Sequence, residues 1–276
     1  MNANEESSFS LDLQQLASTR IQLHYAIQPL AAIANVYPDP NHRGLGWDEQ
    51  LGFITHVVIM EKTYTVALDP ISLTLEFVTD PDTIISSFAL SDRALSEAFV
   101  WIKELVSELG GSGDLVVPIT YPPDDFPDSD LARGATFNLE NISSLFAEYY
   151  AAANHILQYI VESESMASSV RLWPHHFDIA TLISIPAAID GEEKTVGVGL
   201  SPGDSSYAKP YWYVTPYPYP ENTDDLPVLA SDGIWHKEHW VGAVLTASQF
   251  GDPIESEERV KTFLISAIAA CKKLLT

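Results

Sequence analysis

An α+β protein with two similarly built halves, each an antiparallel sheet flanked by helices, is what this sequence predicts. Two observations carry that expectation. Stretches with apolar residues every three or four positions alternate with short runs of alternating or continuous apolar residues, and the order helix, strands, helix occurs twice along the chain. The halves divide at 137/138, and the pair can pack as one compact domain.

In the first half, Leu13, Leu16, Leu23, Ile27, Leu30 and Ala34 recur at helical spacing, which predicts one amphipathic helix with Pro29 as a kink or an end. Extended signals follow the turn-rich stretch from Pro38 to Gly46. Phe53 to Met60 is an apolar run, Tyr64, Val66 and Leu68 alternate with Thr and Ala, and Leu73, Leu75 and Phe77 alternate with Thr74 and Glu76. Asp69-Pro70 and Asp80-Pro81 punctuate these strands. Asp92 is placed to cap a helix with the stripe Leu95, Ala98, Phe99, Ile102, Leu105, Val106 and Leu109, which Gly110-Gly111 stops.

A short strand over Leu115 to Ile119 and a Pro/Asp-rich connection from Tyr121 to Asp130 lead to the second half. There, Asn138 or Asn141 caps a long helix carrying Leu145, Tyr149, Ala152, Ile156 and Ile160 on one side. Strands are predicted at Phe177–Ile185, Thr195–Ser201, Tyr211–Thr215 and Trp240–Thr246, and a closing helix at Glu257–Leu275.

Composition narrows the classes of function. With 276 residues, 46% of them hydrophobic, the chain can bury a sizeable core. Asp and Glu outnumber Lys and Arg 38 to 14, giving a formal charge of -24, and the basic residues are scattered. Such a surface repels phosphate backbones and anionic headgroups, so neither nucleic acid nor a membrane is an expected partner. Apolar runs such as Phe53 to Met60 fall far short of the roughly 20 residues of a bilayer crossing. Met1 to Ser10 carries Glu5 and Glu6 where a signal peptide carries basic and then apolar residues, and the single Cys271 lies in an apolar helical stripe; both point to the cytoplasm.

Phe177-Asp178-Ile179-Ala180, Gly199-Leu200-Ser201-Pro202-Gly203, and Pro210-Tyr211-Trp212-Tyr213 with Pro216-Tyr217-Pro218 resemble an uncharacterised bacterial family catalogued as domain of unknown function 5996. Leu23-His24 followed by Gln28 is similar to that family's opening helix. The resemblance covers nearly the whole chain and implies a fold unit and a bacterial-type cytoplasmic setting, without assigned chemistry. Pro29, Leu30, Ala31 and Ala32 depart from the Gly-Lys-x-Arg-like continuation of that helix.

Three clusters could carry function. In Trp173-Pro174-His175-His176-Phe177-Asp178, extended geometry puts His176 and Asp178 on one face, an arrangement suited to a metal or to a general base oriented by a carboxylate. The second, Trp235-His236-Lys237-Glu238-His239-Trp240, is not the His-Glu-x-x-His of zinc proteases. Joined to the first, His236 or His239 with His176 and Asp178 would give a three-ligand site for a divalent metal, and the set His176, Asp178 and His239 is the basis of a metal-assisted or His/Asp acid-base hydrolase. The third is aromatic: Tyr211, Tyr213, Tyr217 and Tyr219 fall on alternate positions with Pro216, Pro218 and Pro220 between, which predicts an edge strand.

That edge could wall a ring-bearing or sugar-like ligand, or form a surface for homo-oligomers or other partners. Gly197 and Gly199 leave a bare strand face on which the aromatic segment or a ligand could lie. His24, one turn from Gln28, is a candidate pocket wall. The leading expectation is a small-molecule cleft between the halves lined by His24, His176, Asp178, Tyr211, Trp212 and Tyr213. No nucleophile elbow, Walker loop, Cys-x-x-Cys or EF-hand loop is present in the sequence.

Overall fold

The structure, a computed structural model, describes residues 13–79, 83–122, 126–142, 144–186, 193–250 and 256–276. The expected opening helix is two: α1 (Leu13–Ala26) and α2 (Gln28–Val36), broken at Ile27. Pro29 sits in the first turn of α2, where its missing N–H leaves no intrahelical bond unmade. Strands β1 (Leu45–Asp48), β2 (Gly52–Ile59), β3 (Lys62–Asp69), β4 (Thr74–Thr79) and β5 (Thr83–Ala89) follow, then α3 (Leu95–Glu108). After single-turn 3-10 helices come α4 (Leu145–Ser163), β6 (Arg171–Trp173), β7 (Asp178–Ile185), β8 (Lys194–Ser201), β9 (Tyr211–Tyr217), β10 (Ile234–His236), β11 (Gly242–Thr246), the short α5 (Ala247–Phe250) and α6 (Glu257–Leu275).

Where a sheet in each half is expected, the strands form one antiparallel sheet in the order β10-β11-β9-β8-β7-β6-β1-β2-β3-β4-β5. Its two flanks meet at β1 and β6, where Leu45 and Leu172 are the paired residues. Alternation along the strands sorts the faces. Phe53, Val57 and Ile59 of β2, Val196, Val198 and Leu200 of β8, and Trp212 and Val214 of β9 are buried under helices. On this face α2 packs on β1, β2 and β3, α4 on β1, β7 and β8, and α6 on β8, β9 and β11. Phe146, Tyr149, Tyr150, Phe177 and Phe263 fill the space between the layers.

Several local expectations differ from what forms. Residues 115–119 are no strand: Val116 is buried while Leu115 and Val117 face solvent, and Pro118 offers no ladder donor. Asp92 does not cap α3. Ala94 does, with its N–H donating to the Glu97 carboxylate at 2.8 Å. Asn138 caps a 3-10 turn over Leu139–Asn141 by accepting the Glu140 N–H at 2.9 Å, and α4 begins later. The tyrosine-proline segment is an inner strand, because β9 lies between β8 and β11. Pro216 is tolerated there since pairing with β11 ends at Val214, whereas that with β8 runs on through Pro216 and Tyr217. The Asp80-Pro81 turn and the Met1–Ser10 segment lie outside the described residues. No described helix is long and apolar enough to cross a membrane.

Candidate functional site

The β6–β7 hairpin sets the position of Asp178. Trp173 pairs with Asp178, and the Pro174–Phe177 turn between them is closed by the Phe177 N–H donating to the Trp173 carbonyl at 2.7 Å. Phe177 takes a left-handed φ of 59°, an unfavourable conformation for a bulky residue, and it is held there by burial. Its ring stacks on His24 with centroids 5.2 Å apart and packs against Phe53 and Tyr150, while the Tyr150 hydroxyl donates to its carbonyl. With Phe177 anchored among the helices, Asp178 points to the opposite, helix-free face.

On that face, Gly199 of β8 pairs with Tyr213 of β9. A Cβ at Gly199 would lie 2.7 Å from the Tyr213 hydroxyl and 2.7 Å from both the Ala180 Cβ and the Ile179 carbonyl oxygen. The missing side chain is thus what lets Tyr213 lie flat across β8 and donate its hydroxyl to the Asp178 carboxylate two strands away. Beside it, the Tyr211 hydroxyl donates to Asp204 Oδ2 at 2.6 Å. The other oxygen of Asp204 accepts the Ser206 and Tyr207 N–H groups at 2.7 and 3.0 Å, an Asx turn that fixes the carboxylate. Tyr211, Tyr213, Tyr219 and Trp240 wall a hollow of about 380 Å³ into which Asp178, Asp204 and His176 also face.

Desolvation pushes the Asp178 carboxyl above its ordinary range, against the opposing effects of the Tyr213 hydrogen bond and the nearby His176 and His175. Burial, followed by the Asp178 charge, drives the Tyr213 phenol well above its usual value, and burial and Asp204 do the same to Tyr211. Arg20 of α1 reaches the same sheet end, beside Gly203. Burial lowers its pKa, Asp204 acts in the opposite sense, and its Nη1 has no hydrogen-bond partner.

Of the residues singled out from sequence, His176, Asp178, Tyr211 and Tyr213 line this one hollow. Trp212 does not: strand alternation turns it to the helix side, where it is 3% exposed. His24 does not line this hollow; it props the turn from beneath, with Nε2 2.9 Å from the Pro174 carbonyl and its ring between Phe126 and Phe177, and burial takes its pKa down to about 3. His239 belongs to the β10–β11 turn and lines a neighbouring hollow with His236 and Tyr207, because that hairpin presents Trp240 to the first one. Among the described residues no three His, Cys, Asp or Glu side chains converge, so the divalent-metal set of His176, Asp178 and His239 is not assembled. Nor does the hollow lie between the halves; every residue lining it falls between His176 and Trp240.

Of the remaining lining residues, Tyr219 belongs to the expected tyrosine edge and Trp240 to the second histidine cluster, whereas Asp204 and Thr215 have no counterpart among the residues expected from sequence. The Asx-turn pattern of Asp204 followed by Ser205-Ser206 is a local signal, whereas Trp240 enters through hairpin geometry that no local pattern announces. No family model, curated protein or solved structure matches the chain.

Proposed function

We propose that this protein binds a small organic cation, an amine or quaternary ammonium, in the aromatic hollow on the helix-free face of the sheet. One observation carries the reading. The Asp178 carboxylate is ringed by protein and opens onto the hollow, its hydrogen-bond donor is a neutral phenol, and no Lys or Arg forms an ion pair with it among the described residues. An anion withdrawn from water beside only a phenol and neighbouring imidazoles costs stability, and a bound cation would add a full positive charge next to it. The faces of Tyr211, Tyr213, Tyr219 and Trp240 add cation–π attraction of about 0.5–2 kcal/mol for a well-placed ring. The overall charge of -24 concentrates cations near the surface.

Calorimetric titration with choline and with its neutral carbon isostere, dimethylbutanol, tests the reading. Choline should bind saturably, the isostere should not, and Asp178→Asn should abolish the difference. Equal binding of the two, or binding of neither, overturns it.

We further propose that the halves 1–137 and 138–276 are similarly built, and that the chain belongs with domain of unknown function 5996 in a cytoplasmic setting. The repeated helix–strands–helix order supports the first. The stretches Gly199–Gly203 and Pro210–Tyr213, which carry the resemblance and also shape the hollow, support the second.

A further inference from the structure

Where the two flanks of the sheet meet, β1 and β6 pair only through Leu45 and Leu172, and a hollow of about 210 Å³ opens there between residues 41–47, 169–171 and the side of α4. It shares no lining residue with the aromatic hollow. Missing side chains make the room. A Cβ at Gly46 would meet nothing within 4 Å, and one at Gly44 would meet only the Arg171 Cδ, at 3.7 Å.

The charge of this lining runs against that of the chain. Asp and Glu outnumber Lys and Arg 38 to 14, yet Arg43, Arg171, His42 and His56 all line the hollow and, among the described residues, no carboxylate does. Neither arginine has a counter-ion. Arg43 makes no side-chain hydrogen bond or ion pair among the described residues, and Arg171 Nε donates to Ser169 Oγ at 3.4 Å. Both imidazoles are held through Nδ1, that of His42 3.2 Å from Asp39 Oδ2 and that of His56 3.0 Å from Thr65 Oγ1, which leaves Nε2 of each unengaged. Their ring centroids lie 5.0 Å apart. The nearby carboxylates are occupied: Asp39 also accepts the Asn41 N–H at 2.8 Å, and Asp48 accepts those of Gln50 and Leu51 at 2.8 and 3.0 Å.

Two guanidinium groups lining one hollow without a counter-charge repel each other, and each presents a planar fork that fits an oxyanion. Two arginines and two imidazoles outnumber the oxygens of a carboxylate and suit the three terminal oxygens of a phosphate ester. On the α4 side, the amides of Asn154 and Gln158 offer neutral donors and acceptors of the kind that hydroxyls need. Size and field set the upper limit: the hollow holds a molecule of only a few carbons, and the overall charge of -24 opposes a polyanion.

We propose that this hollow is a second ligand site, taking a small phosphate ester that carries hydroxyl groups. Its phosphate meets Arg43 and Arg171, with His42 and His56 as further donors, and its hydroxyls meet Asn154 and Gln158. The site is independent of cation binding at Asp178.

Calorimetric titration of the full chain with glycerol 3-phosphate, with glycerol and with succinate tests this. The ester should bind saturably and glycerol should not, while succinate, of similar charge, should bind at least about tenfold more weakly. Arg43→Gln and Arg171→Gln should each weaken the ester about tenfold or more, the factor expected for a lost charge-assisted hydrogen bond. Gly46→Leu places a side chain in open space at a position that needs no positive φ, so it should fill the hollow and abolish binding with the circular dichroism unchanged. Asp178→Asn, in the other hollow, should leave the ester's affinity unchanged. Absence of saturable binding, binding that survives Gly46→Leu or the two arginine substitutions together, or succinate binding as tight as the ester overturns the proposal.

Discussion

The Tyr213 hydroxyl donates to the Asp178 carboxylate across the bare backbone of Gly199, tying β9 to β7 over the strand between them. The tie is costly to the fold, because burial raises the Asp178 carboxyl by more than the Tyr213 hydrogen bond and the nearby His176 and His175 lower it. Sites that sacrifice stability in this way are where ligand binding is most often found.

Removing the charge should therefore do no harm to the fold. The folded-state pKa of Asp178 lies above its unfolded value of about 3.9, so its contribution opposes folding progressively as pH rises from that value through the folded pKa. Asp178→Asn keeps an acceptor for Tyr213 and should be as stable as the wild type or more so near neutral pH. Tyr213→Phe strands the carboxylate without its donor and should cost about 1–3 kcal/mol. Urea unfolding of both variants checks this; a large loss in Asp178→Asn would mark the carboxylate as a structural element.

Gly199→Ala should be among the more damaging small substitutions in the chain. Two of the three atoms that its methyl meets at 2.7 Å, the Ala180 Cβ and the Ile179 carbonyl oxygen, belong to the adjoining strand and cannot rotate away. A loss of about 1–3 kcal/mol, as for overpacking, is expected in thermal unfolding, together with displacement of the Tyr213 ring in aromatic NMR spectra.

His24 should make stability fall on acidification. Its pKa drops from about 6.5 in the unfolded chain to about 3 in the fold, so the unfolded state binds the extra proton between these values. The contribution is complete above the unfolded pKa and is lost as pH falls toward the folded one, a difference on the order of 4 kcal/mol across that window. Urea midpoints measured between about pH 7 and pH 4 should decline more steeply for the wild type than for His24→Gln, and parallel curves would contradict the assignment.

Cys271 is fully buried beneath β9, and burial pushes its thiol up to about 12. It should resist a disulfide reagent in the native protein and react promptly once guanidinium unfolds the chain.

Legibility in the sequence followed the range of the interactions. The α6 span and the cores of β2, β7, β8, β9 and β11 rest on local periodicity, and were readable for that reason. Strand alternation already separates Tyr211 and Tyr213 from Trp212, and the bare face at Gly199 does carry an aromatic side chain. By contrast, the prolines among the tyrosines suggest an edge, because what decides the matter is where a neighbouring strand stops, which the segment itself does not encode.

At the joint between β1 and β6, the sheet narrows to the Leu45–Leu172 pair, and Tyr150 spans the gap from below. Its ring lies 6.1 Å from Trp47 and 4.8 Å from Phe53 on one side, and 5.1 Å from Phe177 on the other. One aromatic thus rivets the two wings of the molecule. Since Asp178 follows Phe177 directly, the ring that joins the wings also backs the residue next to the carboxylate.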